Sequence, residues 1–234
     1  MGPMNQLPPQ NNLHLATSQD ATRLNNRLVE AARYTLLKRL APAMRHEVAG
    51  ALQPLKMVSA VLSKRLQVPE PDLAALVKNS DVIGQLLREA TAVCTEFTDW
   101  IAPKQDEKLP IQHVVNECIK LLRTNLMLRG FTIDLASEVA DAELPAAALR
   151  QVFSVCVLAL TDLTPGPACI SISFQESENE VLTRVHIEPV DGEEPHAEFA
   201  SYRPLEWDDV QLLAGAEAVG LKRLTNGAEL IFRR

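Results

Sequence analysis

The chain has 234 residues, of which 47% are hydrophobic and only 4% aromatic, and its formal net charge is −7. This apolar content is enough for a sizeable core, and a core of leucine, valine, isoleucine and alanine suits helices packed on helices. The acidic balance argues against nucleic-acid binding, because proteins that bind nucleic acids usually present a basic surface. One large domain or two small ones fit this length.

The first residues and the cysteines favour a cytoplasmic protein. Residues 1–17 are polar and rich in proline, asparagine and glutamine, which predicts a flexible tail rather than a signal peptide. No apolar run approaches the roughly 20 residues that span a bilayer, so no membrane partner is expected. The cysteines show neither CxxC spacing nor a histidine at ligand spacing, and we expect them to be reduced core residues without a metal. They are Cys94, Cys118, Cys156 and Cys169.

A long helical pattern follows the tail. It begins near Ser18 or Asp20, either of which is a suitable N-cap, and continues to about Gln67. Two prolines, Pro42 and Pro54, interrupt the pattern. Each is expected to kink the helix or to divide it into segments, because proline lacks the backbone N–H and clashes with the preceding turn.

A second helix is predicted from Asp72 to about Ile101, after a proline-containing turn at 68–72. Two amphipathic helices joined by a short turn form an antiparallel hairpin, here assigned to a domain at 18–102. Such a hairpin leaves one apolar side uncovered. We therefore expect a homodimer in which two hairpins form a four-helix bundle.

A charged stretch bounded by prolines at 103–110 predicts the linker to a second domain. Residues 111–234 are predicted to form an α/β sandwich with a mixed sheet and helices on one face, which makes the fold class α+β. The predicted elements are helix 111–129, strand 131–136, helix 145–163, turn 164–167, strands 169–175 and 181–188, helix 207–219, and a hairpin of 221–224 with 228–232.

A histidine beside a glutamate stands out on the first helix. With successive residues 100° apart and Val48 as the reference, the apolar positions fall within roughly 40° of one line, whereas His46 lies about 160° away. Gly50 and Gln53 share the side of His46. A solvated imidazole on a helix is accessible to a partner protein, and it is a nucleophile near neutral pH. The pattern therefore predicts an accessible imidazole at His46, with the carboxylate of Glu47 beside it.

The succession of hairpin and sandwich resembles the core of a sensor histidine kinase over roughly residues 20–234. His46-Glu47, with a proline eight residues after the histidine, resembles the phospho-acceptor box, although that family more often has the proline closer to the histidine. Residues 114–122 resemble the first helix of the ATP-binding sandwich, and residues 149–153 resemble the start of its second helix.

The residues that bind nucleotide in that family are missing at the matching positions. The family places asparagines on the second helix to hold magnesium and contact the nucleotide, and here those positions are Val155 and Ala159. Of the family's Asp-x-Gly-x-Gly turn, the pair Asp191 and Gly192 remains, followed by acids at 193–194 that would repel phosphate. Triphosphate needs a metal or exposed N–H groups to offset its charge. We therefore expect no ATP, metal or other cofactor.

A retained histidine with a lost nucleotide site resembles the dimeric histidine phosphotransferases built on a degenerate histidine kinase core. The resemblance implies that His46 relays a phosphoryl group to or from receiver-domain aspartates of response regulators. Receiver domains are the implied partners, with a hybrid histidine kinase as a further candidate. Glu47 would orient the imidazole or accept its proton. In supporting roles, Arg45 would offset phosphate charge, Gly50 would leave space for a docked loop, and Gln53 would bond a phosphoryl oxygen.

Two other interpretations remain open. The chain could be a non-catalytic module that binds a receiver or a kinase and regulates by occupancy, or it could be an active kinase with an unusual ATP site. The His-Glu pair alone is also typical of an ordinary solvated surface. Asp162, near the end of the second sandwich helix, is expected to be a solvated acid rather than a remnant of the nucleotide site, and His113 to be a surface or half-buried residue rather than a metal ligand.

Overall fold

The computed structural model describes residues 11–104, 106–136, 142–192 and 203–234, with side chains from residue 19 onward. Helix α1 spans Asn11–Leu66 and contains Pro42 and Pro54 without a break. The tail predicted for 1–17 is therefore helical from Asn11, whereas residues 1–10 lie outside the described residues. Of the kink or division expected at each proline, the division does not occur, and a kink stays a prediction. The helical hydrogen bonds on both sides of each proline, together with tertiary contacts, sustain the helix.

Helix α2 spans Leu73–Ile101, and Asp72 caps it by accepting a hydrogen bond of 3.2 Å from the backbone N–H of Ala75. It packs against α1 as the second arm of the predicted hairpin. Beyond the hairpin, strand β1 spans Lys108–Pro110 and pairs antiparallel with β3, Glu143–Pro145. The last residues of the predicted linker at 103–110 are thus part of the sandwich, and the domain boundaries stay a prediction.

The sandwich is built on a five-stranded sheet in the order β2-β4-β5-β7-β6. Strands β2 and β4 are parallel, and every other neighbouring pair is antiparallel. The predicted α+β fold class is confirmed, and the predicted sheet is mixed. The strands are β2 Phe131–Leu135, β4 Ala168–Glu176, β5 Glu180–Pro189, β6 Gly220–Leu224 and β7 Gly227–Arg233.

Three helical segments cover the sheet: α3 at Ile111–Leu128, a central helix at Ala146–Leu163, and α6 at Trp207–Ala216. The alternating strand residues Ile170 and Ile172 are buried beneath them, as period-two patterning predicts. The central helix is apolar enough in composition to cross a membrane, but 83% of it is buried in the protein, as in the core helix of a folded domain.

The central helix changes its winding within its first half. It consists of α4 (Ala146–Ala148), a π turn (Leu149–Phe153) and α5 (Ser154–Leu163). Every residue of the π turn is buried, including the polar Arg150 and Gln151. A π turn adds a residue to the helical circuit, and such turns occur frequently at functional sites. Here it places two adjacent polar side chains toward different neighbours: Arg150 contacts α3, and Gln151 contacts α1.

The N-terminal half of α1 packs against the sandwich, which the sequence did not indicate. Its side chains Val29, Ala32, Leu36 and Leu40 are at most 6% exposed and belong to the same apolar cluster as the sandwich core. Burial of one such leucine or valine contributes about 1.5–3 kcal/mol. The hairpin and the sandwich are therefore held together by apolar packing just before His46.

The cysteines divide into two groups. Cys118 and Cys156 are fully buried, and burial raises the pKa of each thiol to about 12. Cys94 is exposed and Cys169 half-buried, so the prediction of a core position is wrong for Cys94. It follows an apolar pattern on α2, but it lies on a side of that helix that none of the described residues buries.

Candidate functional site

His46 projects from the surface of α1 with its side chain 84% exposed. The unbroken helix fixes its backbone on both sides. Burial of Leu40 anchors the preceding turns, and Val48 packs against the core on the opposite side of the helix. The imidazole is therefore exposed to water on a firmly anchored stretch of helix, as the helical spacing predicts.

Glu47 links the histidine to the sandwich. Its Oε1 lies 3.8 Å from Nδ1 of His46, and its Oε2 lies 2.7 Å from Nζ of Lys120 on α3. Acceptance of this hydrogen bond by Glu47 is the largest cause of the raised pKa of Lys120, and burial opposes it. The carboxylate is thus held between a cation on one side and the imidazole on the other.

The three predicted supporting residues, Arg45, Gly50 and Gln53, are exposed on α1. A Cβ added at Gly50 would meet no atom within 4 Å, so open space lies over this turn of the helix. Together with His46 they form an accessible stretch of one helix. Their roles stay predictions.

A network of charged side chains lies behind Glu47, at the junction of both helices of the hairpin with the sandwich. Arg150, 3% exposed, donates to Glu117 at 2.9 Å and lies 3.5 Å from Glu107 without hydrogen-bond geometry. Burial lowers the pKa of Arg150, but the bond to Glu117 and the nearby negative charges of Glu117 and Glu107 together outweigh it, and the net shift is upward. His113 lies 3.1 Å from Glu117 and is 60% exposed, as predicted for a surface residue.

Glu96 on α2 also belongs to this network, where its environment disfavours the charged carboxylate. Its Oε1 is buried without a hydrogen-bond partner. Burial and the neighbouring Glu117 raise the pKa of Glu96, and Lys120 opposes them. Sequence reasoning did not find Lys120, Glu96 or Arg150, because they come from three separate helices and share no motif.

The region where the resemblance places a nucleotide is apolar and internally bonded. Val155 and Ala159 are both 0% exposed. Asp162, expected to be a solvated acid, is instead 6% exposed and accepts hydrogen bonds from Arg39 at 2.9 and 3.0 Å. It also pairs with Arg129 at 3.0 Å. The acids at 193–194 lie outside the described residues.

Asp162 accepts a further hydrogen bond at the end of the central helix. The backbone N–H of Leu205 donates to it at 2.9 Å. Burial lowers the pKa of Arg129, while the charge of Asp162 opposes that shift.

Within 11–104, 106–136, 142–192 and 203–234, no three His, Cys, Asp or Glu side chains are placed to hold a metal ion together.

Comparisons with known proteins find similarity at low identity. No protein-family model matches the chain, and no curated protein matches it at a significant level. A histidine kinase from Burkholderia phymatum STM815 is 15% identical, with 83% of this chain and 96% of that chain covered and a TM-score of 0.42. The histidine kinase ThkA, in complex with the response regulator protein TrrA, is 13% identical over 90% of this chain and 66% of that one, at a TM-score of 0.40.

A bacterial phosphotransferase is also similar, at 14% identity over 84% of this chain and 95% of that chain, with a TM-score of 0.35. Similarity at this level does not bear on activity, ligand or partner. The activity, ligand and partner of this chain are inferred from its own side chains.

Proposed function

We propose that the chain is a histidine phosphotransferase, which relays a phosphoryl group between receiver-domain aspartates through His46 and does not use ATP. The observation that carries the proposal is the placement of the imidazole, 84% exposed on a rigid helix beside a carboxylate that Lys120 holds at 2.7 Å. An exposed histidine with an oriented carboxylate is suited to nucleophilic phosphoryl transfer.

In the transfer step, Nε2 of His46 attacks the phosphorus of a receiver aspartyl phosphate. The P–N bond forms as the P–O bond to the aspartate breaks, and the electron pair leaves on that carboxylate. The Nδ1–H stays on the ring, where Glu47 offsets the positive charge of the phosphohistidine. Arg45 and Gln53 contact phosphoryl oxygens, and the space over Gly50 admits a receiver loop.

Two features support transfer without ATP. The positions that would offer amide oxygens to magnesium are the buried apolar Val155 and Ala159. The carboxylate of Asp162 is already bonded to Arg39 and Arg129. Neither arrangement supplies the oxygen ligands that magnesium prefers or the donors that a triphosphate needs.

We further propose that the chain acts as a cytoplasmic homodimer that pairs through the hairpin. Large apolar side chains are exposed along one side of both helices: Leu52 at 45%, Leu66 at 57%, Leu73 at 72%, Val77 at 62% and Leu87 at 53%. A second hairpin would cover them in a four-helix bundle. Sedimentation equilibrium tests this, with Val77→Glu expected to give monomers and Lys78→Glu, a neighbouring exposed position, to leave the dimer intact.

The direct test mixes the protein with phosphorylated receiver domains and measures acid-labile label on the chain. Wild type should become labelled and His46→Ala should not. His113→Ala is the matched control, since His113 is also an exposed helical histidine beside a glutamate. If the His46→Ala variant still binds receivers and still alters their output, the chain is a non-catalytic binding module and the proposal is wrong.

A further inference from the structure

We propose that Lys120 is a positioning residue for phosphoryl transfer at His46, through which the sandwich controls the histidine. The proposal rests on the proposed function, and it concerns a residue of the other domain rather than the acceptor helix. Lys120 touches neither phosphate nor imidazole. It acts through Glu47.

The geometry of Glu47 carries the proposal. Of its two oxygens, Oε2 bonds Nζ of Lys120 at 2.7 Å, and Oε1 faces Nδ1 of His46 at 3.8 Å. A glutamate next to a histidine on an exposed helix otherwise turns freely about three bonds, and fixing such a side chain costs conformational entropy. Lys120 fixes it before the receiver arrives, because a charge-assisted hydrogen bond is short and directional.

The position of Lys120 is itself well defined. Its helix neighbours Ile119, Leu121 and Leu122 are at most 5% exposed, so α3 is fixed by its buried face. The carboxylates of Glu96 and Glu117 act on Lys120 electrostatically, and together with the bond to Glu47 they raise its pKa. The ammonium is thus charged throughout the neutral range, and although its side chain is 43% exposed, its nearest charged partners are those of the junction.

The chemical consequence concerns the imidazole ring. During transfer, Nε2 forms the bond to phosphorus while Nδ1 keeps its proton, so a positive charge develops on the ring. Oε1 of Glu47 must face Nδ1 at that moment to stabilise the charge. A sandwich that shifts away from α1 would remove Lys120 from Glu47 and leave the carboxylate unoriented. The domain that has lost its nucleotide residues thereby keeps a role in catalysis.

The test compares Lys120→Gln with Lys120→Arg in single-turnover transfer from a phosphorylated receiver domain. Lys120→Gln should lower the maximal transfer rate about tenfold, a part of the ~10²–10⁴-fold that a positioned acid–base group contributes. The half-saturating receiver concentration should stay within about twofold, because docking is unchanged. Lys120→Arg should restore most of the rate. Arg123→Gln, which removes one charge from an exposed position of α3, is the control.

A double-mutant cycle with Glu47→Gln separates positioning from a general effect of charge. In the Glu47→Gln background, Lys120→Gln should change the rate less than about twofold. Equal effects in both backgrounds, or a rise in the half-saturating concentration at constant maximal rate, would overturn the proposal. If Lys120→Gln lowers the unfolding midpoint strongly, Lys120→Met, which retains the apolar stem, replaces it. A wild-type protein without label on His46 would instead reject the proposed function.

Discussion

Arg39 on α1 holds Asp162 at the end of the central helix with two hydrogen bonds, from Nη1 at 3.0 Å and from Nη2 at 2.9 Å. The two side chains are 10% and 6% exposed. The pair joins the helix that carries His46 to the helix that would border a nucleotide. Asp162 therefore serves the docking of the two parts of the chain.

Arg39→Ala should destabilise the protein by about 1–3 kcal/mol, because it removes charge-assisted bonds from a buried carboxylate that Arg129 alone then neutralises. Urea unfolding followed by circular dichroism measures the change. Lys56→Ala, at an exposed position of the same helix, should leave the midpoint within experimental error. An equal effect of both variants would mean that the Arg39 bond does not hold the domains together.

Glu96→Gln should stabilise the protein at neutral pH. Burial and Glu117 raise the pKa of Glu96, so the folded state favours the protonated carboxyl. The stability that this group contributes is present below its unfolded pKa and is lost as the pH rises through the folded value. The difference in melting temperature between variant and wild type should thus be positive at pH 7 and shrink toward pH 4. A constant difference across that range would contradict the assignment.

Of Cys94, Cys118 and Cys156, only the exposed Cys94 should react with a thiol reagent. Maleimide should label Cys94 in the folded protein, while Cys118 and Cys156 stay unmodified, because burial holds the pKa of each at about 12 and blocks access. Peptide mass mapping after brief labelling measures this. Cys94→Ser removes the fast label, and full labelling of the buried pair should require denaturant.

Ala218→Gly should stabilise the end of α6. Ala218 has a φ of 54°, a left-handed conformation that costs an L-residue roughly 1 kcal/mol and that glycine adopts freely. The backbone N–H of Val219 reaches back to the carbonyl of Ala214 at 2.9 Å, so the conformation closes the helix. A gain of about 0.5–1 kcal/mol is expected in urea unfolding. Ala216→Gly, at the last helical residue of α6, should instead destabilise.

Gly50 should limit hydrolysis of the partner's phosphate. Gly50 lies four residues after His46. Many two-component phosphatases carry a threonine or asparagine at that distance from their histidine, and its side chain orients water. Wild type should therefore scarcely shorten the half-life of a phosphorylated receiver in the absence of transfer, and Gly50→Asn should shorten it. Nothing lies within 4 Å of a Cβ at this position, so the asparagine fits. Rapid hydrolysis by wild type would contradict the assignment.

The sequence predicted those features that depend on local patterning. Period-two alternation located β4 and β5, and Asp72 marked the start of α2, because cap and pleat are fixed by neighbours in the chain. The exposure of His46 followed from helical spacing for the same reason. The prolines of α1 do not divide the helix, which was one of the two predicted outcomes, since tertiary packing sustains a helix that propensity would break.

The site beyond His46 and Glu47 was not predictable in this way. Lys120 and Arg150 reach the junction from helices that are distant in the chain, and only tertiary packing places them there. Asp162 was assigned to solvent because an acid near a helix end is usually solvated. Its burial depends on Arg39, 123 residues away. Long-range charge pairing leaves no periodic trace in a sequence.

The unbroken winding of α1 has a kinetic consequence under the proposed function. Leu40, the last buried residue under the sandwich, precedes His46 by six residues, or about 9 Å along the axis at 1.5 Å per residue. The helix surface around His46 that a regulator must contact therefore has its final conformation before the regulator binds. Association should follow a simple second-order collision: the observed rate of binding should rise linearly with regulator concentration, without a plateau set by an internal rearrangement, whereas the rate of phosphoryl transfer still saturates at the chemical step.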